Sequence, residues 1–152
     1  MTRSEAEQFV LLRNQLCFAL YTSTRMIVDA YRPILGPLGL SYEGYLAMMV
    51  LWEEGDLPEH ELSERLKVDL CTVGEWTDGL EQKGYLRFAD GPDGGSLLSL
   101  TETGRALRED AIDVVPSAIR CRLLMPEQDV QGMRANLEAM IANMDATNPA
   151  MA

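Results

Sequence analysis

Residues 58–88 read PEHELSERLKVDLCTVGEWTDGLEQKGYLRF, and the fold turns on this stretch. Pro58 fits the first turn of a helix over about Glu59–Lys67, where a missing N–H costs nothing. Leu62 and Leu66 anchor that helix at a spacing of one turn. Val68-Asp69-Leu70 turns the chain into a second helix, roughly Cys71–Lys83, and Gly84 follows just past its end. Tyr85-Leu86-Arg87-Phe88 and Leu97-Leu98-Ser99-Leu100 read as paired strands, with a loop by composition at Ala89–Ser96 between them. Two short helices joined by a tight turn and followed by a strand pair make a winged helix-turn-helix.

Outward from this module the chain is helical. Ser41 is the N-cap of a helix over about Tyr42–Glu54, with Leu46, Met49 and Val50 on its core face and Gly55 at its end. Gly36-Pro37-Leu38-Gly39 is a turn-rich connector. Before it a long helix runs from about Glu5 to Arg32 and stops near Tyr31-Arg32-Pro33. Downstream, Thr101 caps a helix through about Arg122 that is interrupted or bent near Pro116. Pro126 starts another, about Glu127–Met144, with Val130, Met133, Leu137, Met140, Ile141 and Met144 on one stripe. A loose tail is expected over Ala146–Ala152. The fold class is mainly α, with a two-stranded β wing in a module over residues 41–104. Apolar helices at both ends, residues 1–40 and 105–145, imply a dimer built from the terminal helices. Such a dimer sets two recognition helices about 34–36 Å apart, one turn of DNA.

Composition narrows the function. The 152 residues fit one domain, and apolar runs are far too short for a membrane span. With no signal-peptide pattern, the expected location is cytoplasmic. The cysteines Cys17, Cys71 and Cys121 are odd in number and far apart, which fits neither a disulfide framework nor a CxxC metal site. His60 is the only histidine, and no Gly-rich phosphate loop is present. Nothing reads as an enzyme, a cofactor site or a metal site. The net charge of −11 is unevenly spread: residues 1–40 carry +1, residues 41–104 carry −10 and residues 105–152 carry −2.

The first helix holds the most suggestive chemistry. Phe9, Val10, Leu11, Leu12, Leu16, Phe18, Ala19 and Leu20 surround it with apolar side chains, so it needs cover on more than one side. Cys17 sits in that wall. Tyr21 lies one turn on, Tyr31 returns to nearly the same face, and Asn14 shares it. A thiol reacts as the thiolate, which phenol hydroxyls favour by donating to it. Arg13, four residues before the thiol, adds a local cation. A plainer reading stands beside this one, with Cys17 as a small buried hydrophobe.

The chain resembles the MarR family of transcription regulators from about Asn14 to Met144. Leu62-Ser63-Glu64-Arg65-Leu66, Leu80-Glu81-Gln82-Lys83-Gly84-Tyr85-Leu86 and Leu98-Ser99-Leu100-Thr101-Glu102-Thr103-Gly104 carry the general likeness. Asn14-Gln15-Leu16-Cys17-Phe18-Ala19-Leu20-Tyr21, Ala30-Tyr31-Arg32-Pro33 and Leu40-Ser41-Tyr42-Glu43-Gly44-Tyr45-Leu46 look like the organic hydroperoxide sensors (the OhrR type) within it. The resemblance implies a homodimeric, DNA-binding repressor whose first-helix cysteine, here Cys17, is oxidised by organic hydroperoxides. It implies that Tyr31 and Tyr42 hold the thiolate across the dimer, that Tyr21 is a further pocket tyrosine, and that Cys121 occupies about the place of a resolving cysteine. Cys71 has no counterpart in the pattern.

The expected DNA-reading surface departs from the family. Cys71–Gly79 contains two acids, two glycines and no cation, and Asp90–Ser96 has no arginine for the minor groove. Thr72, Thr77, Lys83 and Arg87 are the ordinary contact candidates, with Glu75 and Trp76 beside them. An acid there has one route to a base, by accepting from cytosine N4. DNA affinity is largely cation–phosphate attraction, and net −10 opposes it. Three readings follow: a peroxide-responsive repressor; a thiol sensor of the same fold that acts through a protein partner, such as a basic regulator; and a small-molecule binder using the dimer cleft.

Overall fold

The computed structural model describes residues 1–91 and 94–147. Helix α1 (Arg3–Phe9) starts at a reciprocal cap: Thr2 Oγ1 accepts from Glu5 N at 3.3 Å and Glu5 Oε2 accepts from Thr2 N at 2.6 Å. The single helix expected over Glu5–Arg32 is broken after Phe9. A 3₁₀ turn (Leu12–Asn14) intervenes before α2 (Leu16–Leu35) begins. The break has a local cause, because Asn14 Nδ2 donates to Gln8 O at 2.8 Å and the Gln15 amide donates to Phe9 O. The Gln15 side chain satisfies the Phe9 carbonyl, and Asn14 adds a second donor to the Gln8 carbonyl, which also accepts from Leu11 N. Asn14 therefore lies outside the helix that carries Cys17.

Helix α2 also outruns its expected stop at Pro33. Proline removes one ladder bond, yet the helix continues because Ile34 and Leu35 bury their side chains in the core. Helix α3 (Tyr42–Glu54) is capped by Ser41 Oγ, 3.0 Å from Gly44 N. Its inward face is Gly44, Ala47, Met48 and Leu51 rather than Leu46, Met49 and Val50; Met49 is exposed. Apolar residues surround α3, so packing decides its rotation: bare Gly44 lets Leu80 come close.

Strand β1 (Leu57–Pro58), α4 (Glu59–Leu66), α5 (Leu70–Gln82), β2 (Leu86–Asp90) and β3 (Ser96–Leu100) complete the winged module. The sheet has three strands in the order β1-β3-β2, all antiparallel, with Leu57 opposite Leu98 and Phe88 also opposite Leu98. The strand at Leu57–Pro58 adds to the expected pair: Pro58 ends an edge strand and then caps α4. Asp69 caps α5 by accepting from Thr72 N at 2.9 Å. Pro92 and Asp93, in the expected wing loop, lie outside the described residues.

Helix α6 (Glu102–Leu123) passes through Pro116 unbroken, held by buried Val115 and Ile119 on either side. Helix α7 runs Glu127–Thr147, so Ala146 and Thr147 of the expected loose tail are helical; the rest of that tail lies outside the described residues. The core spans Ile34 to Ile119, centred on Leu35, Met48, Leu51, Leu62, Leu86 and Leu98. Helices α1 and α7 bury no residue within the protomer. Leu16, Phe18, Met26, Val130, Met133 and Met144 are exposed large apolar side chains on the terminal helices. Among the described residues no single helix is long and apolar enough to cross a membrane.

Candidate functional site

Cys17 is the second residue of α2, where unpaired N–H groups of the first turn attract negative charge. Its thiol is exposed and free, as are those of Cys71 and Cys121. Within the protomer it is not buried, so the plainer reading requires cover from a second subunit. Tyr21, one turn along, is exposed and carries the Arg25 guanidinium 5.6 Å above its ring. Tyr21, Thr24, Arg25, Val28, Asp29 and Arg32 line one open groove along α2.

Tyr31 and Tyr42 come together, with ring centroids 4.9 Å apart and planes tilted by 52°. They sit where the end of α2 faces the start of α3. Tyr45, which the sequence reading passed over, joins them 6.1 Å from Tyr31. Its spacing of three from Tyr42 was the available signal, since residues three apart on a helix are neighbours. Burial comes first in raising the Tyr31, Tyr42 and Tyr45 phenols above their usual range. The other phenols add to it for Tyr31, Glu43 for Tyr42, and Tyr42 for Tyr45. All three therefore keep their protons and remain donors near neutral pH. Among the described residues none of these hydroxyls has a hydrogen-bond partner in the protomer.

Cys17 does not reach Tyr31 in its own chain. Fourteen residues of helix separate them by about 21 Å along the axis, although both lie on one face to within about 40°. Cys121 is exposed in the last turn of α6, and Cys71 is the second residue of α5.

The expected DNA-reading residues are placed unevenly. Thr77 is fully buried: its hydroxyl donates to Glu59 Oε1 at 2.8 Å, and Val73 O and Gly74 O lie at 3.1 Å. It belongs to the α4–α5 seam and is withdrawn as a base contact, because position 77 continues the inward line of Val73 and Leu80. Trp76 is half-buried against the core. Thr72 turns its hydroxyl to Asp69 Oδ2 at 2.8 Å, and Lys83 Nζ donates to Gly39 O at 2.6 Å. Glu75, Asp78 and Arg87 are exposed. Arg65 pairs with Glu54 at 2.9 Å and Lys67 pairs with Asp145. Of the four cations in residues 41–104, only Arg87 has no such partner among the described residues.

Residues 40–93 match the MarR family. Over 139 residues the chain is 32% identical to the organic hydroperoxide resistance transcriptional regulator of Bacillus subtilis, covering 90% of this chain and 94% of that one. It is 30% identical over 139 residues to the HTH-type transcriptional regulator SarZ of Staphylococcus epidermidis, with 90% and 93% covered. The structure of reduced AbfR bound to DNA, a Staphylococcus epidermidis protein, shares the fold at a TM-score of 0.76 and 24% identity, over 94% of this chain and 99% of that one. With a winged helix-turn-helix between two uncovered helical ends and a relative of this likeness along nearly its whole length, the chain belongs to the MarR family of transcriptional regulators.

Proposed function

We propose that this regulator is a homodimeric thiol sensor in which organic hydroperoxides oxidise Cys17. The observation that carries the reading is the Tyr31–Tyr42 pair, 4.9 Å apart, with protonated hydroxyls that have no partner among the described residues of their own chain. A two-fold contact between antiparallel α2 helices, centred near Thr24, sets Cys17 level with Tyr31 of the partner subunit, because position 24 lies midway between 17 and 31. Leu16, Phe18 and Met26 are exposed on the same helix and gain cover from such a contact. The likeness to a named organic hydroperoxide regulator supports the choice of oxidant.

The chemistry follows from these parts. The Cys17 thiolate, held by phenol O–H donors, attacks the distal oxygen of R–O–O–H. The O–O bond breaks, sulfur becomes a sulfenic acid, and the RO fragment leaves as the alcohol after taking a proton. An apolar dimer interface favours an organic R group over hydrogen peroxide. A thiol then condenses with the sulfenic acid and releases water; Cys121, exposed late in α6, is the proposed partner from the other subunit.

The output surface supports two readings. By fold, α5 and the wing read DNA through Thr72, Glu75, Lys83 and Arg87. By charge, a protein partner of basic surface suits the head better, because three of its four cations are engaged within the chain while Glu75 and Asp78 are exposed.

Stoichiometric cumene hydroperoxide followed by mass spectrometry tests the sensor. The first oxidation is expected at Cys17, and first modification of Cys71 would overturn the assignment. Tyr31→Phe and Tyr42→Phe are expected to slow it several-fold without unfolding the protein. Unchanged rates in both variants would reduce the phenols to packing. Non-reducing gels should show a covalent dimer that Cys121→Ser abolishes; a monomer band throughout would remove Cys121 from the mechanism.

A further inference from the structure

The aromatic contacts do not stop at the phenols. Tyr45 meets Trp52 edge-on, with centroids 6.1 Å apart. Trp52 Nε1 donates to Gly104 O at 2.8 Å, across fifty-two residues of sequence. Gly104 lies in the first turn of α6, pressed on the root of the wing so closely that a Cβ there would stand 1.9 Å from Tyr85 O. The same Tyr85 carbonyl accepts from Thr101 N at 3.1 Å, and the Tyr85 hydroxyl donates to Leu38 O at 2.9 Å in the α2–α3 connector. Tyr42, Tyr31, Tyr45 and Trp52 thus form an unbroken ladder from the tyrosine pair to the wing, and Tyr85 reaches back to the connector that follows the helix carrying Tyr31.

We propose that Tyr45 and Trp52 are positioning residues that pass the state of the Tyr31–Tyr42 pair to the wing through the Trp52–Gly104 hydrogen bond. This rests on the reading of Cys17 as the sensor. Close-packed side chains shift between discrete arrangements rather than deforming smoothly. When the thiolate that the phenols hold becomes a larger, differently charged sulfur group, Tyr31 must re-aim, and its ring bears on Tyr45. The Trp52 edge then carries the displacement to a carbonyl at the start of α6. No slack separates that point from Tyr85, because the glycine contact is already at its limit. The wing root therefore moves with the ladder. A ring contact and one N–H carry the effect, so it is sensitive to conservative changes that leave the core filled.

Hydrogen–deuterium exchange on the full-length dimer tests this, reduced and after one equivalent of cumene hydroperoxide, with Cys17 oxidation measured in the same samples. Oxidation is expected to change protection over residues 85–90 and 96–104 in the wild type. Trp52→Phe keeps a ring and loses the donor; it should oxidise at the wild-type rate and lose more than half of that change. Tyr45→Leu should lose it as well, while Tyr45→Phe, which keeps the ring contact, should retain it. A merely structural Trp52 would loosen the reduced protein and leave the oxidised-minus-reduced difference intact. An unresponsive wild-type wing, or a response in Trp52→Phe and Tyr45→Leu as large as the wild type's, overturns the proposal. A second arm needs no oxidant: Tyr31→Ala should alter wing protection in the wild-type background and not beside Trp52→Phe. Equal effects in both backgrounds, or none in either, overturn the ladder. Failure of Cys17 to oxidise, with this second arm positive, would sink the sensor reading alone.

Discussion

Tyr31, Tyr42 and Tyr45 show how residue-scale burial sets a chemical role. Removing a phenol from water penalises its ionised form, so the three remain O–H donors through the physiological range. The same shift has a stability consequence. An unfolded chain releases these protons near the usual phenol value of about 10, before the folded chain does. Their contribution to stability is whole below that value and is lost as pH rises through the higher folded values. Urea midpoints of the reduced protein should hold level from about pH 7 to 9 and fall above about 10. Tyr42→Phe, with one fewer shifted phenol, should make that alkaline fall shallower. Thr77 is a second case, in which residue type misleads and burial corrects. A threonine in a recognition helix suggests a base contact, yet this hydroxyl ties α5 to Glu59 at the start of α4. Thr77→Val keeps the shape and loses the bond, so it should cost about 1 kcal/mol in urea unfolding. No loss of stability would show that the α4–α5 seam does not depend on the bond.

The elements were legible where a local signal agreed with packing. Ser41 and Thr101 cap α3 and α6 as their side chains announce, while Asp69, read only as part of a turn, caps α5. The α1–α2 break was not legible from apolar pattern, because the apolar residues run through it. Its cause is a pair of amides, Asn14 and Gln15, that turn back on α1. The Thr2…Glu5 box was a readable start signal for α1. Strand β1 escaped because two residues carry no period, and only its pairing with Leu97 and Leu98 defines it. For the proposed site, spacing and likeness pick out Cys17 and Tyr31, and likeness alone picks out Tyr42. Trp52 was not, since its donor meets a carbonyl distant in sequence. Among the glycines the closest approach to a neighbour is at Gly104, where α6 meets the wing root. Gly104→Ala drives a methyl into the Tyr85 carbonyl, and backbone has no rotamer by which to yield. A loss of at least about 3 kcal/mol, or failure to fold, is expected from denaturant titration. A loss under about 1 kcal/mol would mean that α6 and the wing are loosely joined.

At the scale of the molecule, charge and fold point to different outputs. The winged module has the architecture of a DNA reader, and the reduced AbfR structure bound to DNA shares that fold. Yet residues 41–104 carry net −10. Within the module Arg65 answers Glu54, Lys67 answers Asp145 of α7, and Lys83 holds the Gly39 carbonyl. A head built this way has Arg87 as its one unengaged cation among the described residues. Few cations release few counterions, so log K for DNA should fall with log salt on a shallow slope. Affinity at 0.15 M salt should then lie in the non-specific range of about 10⁻⁴–10⁻⁶ M. Glu75 and Asp78, exposed on α5, repel phosphate on this account, and Glu75→Gln with Asp78→Asn should tighten binding to any duplex. Fluorescence anisotropy across a salt series, on the reduced wild type and the double variant, decides the matter. The DNA to use is the segment upstream of the chain's own gene. Nanomolar wild-type binding that the double variant weakens would show that the acids read bases, as a carboxylate accepting from cytosine N4 does, and would end the protein-partner reading. Absence of binding at every salt concentration, even with both acids neutralised, would make a basic protein the ligand of this face and leave the winged helix as a scaffold for it.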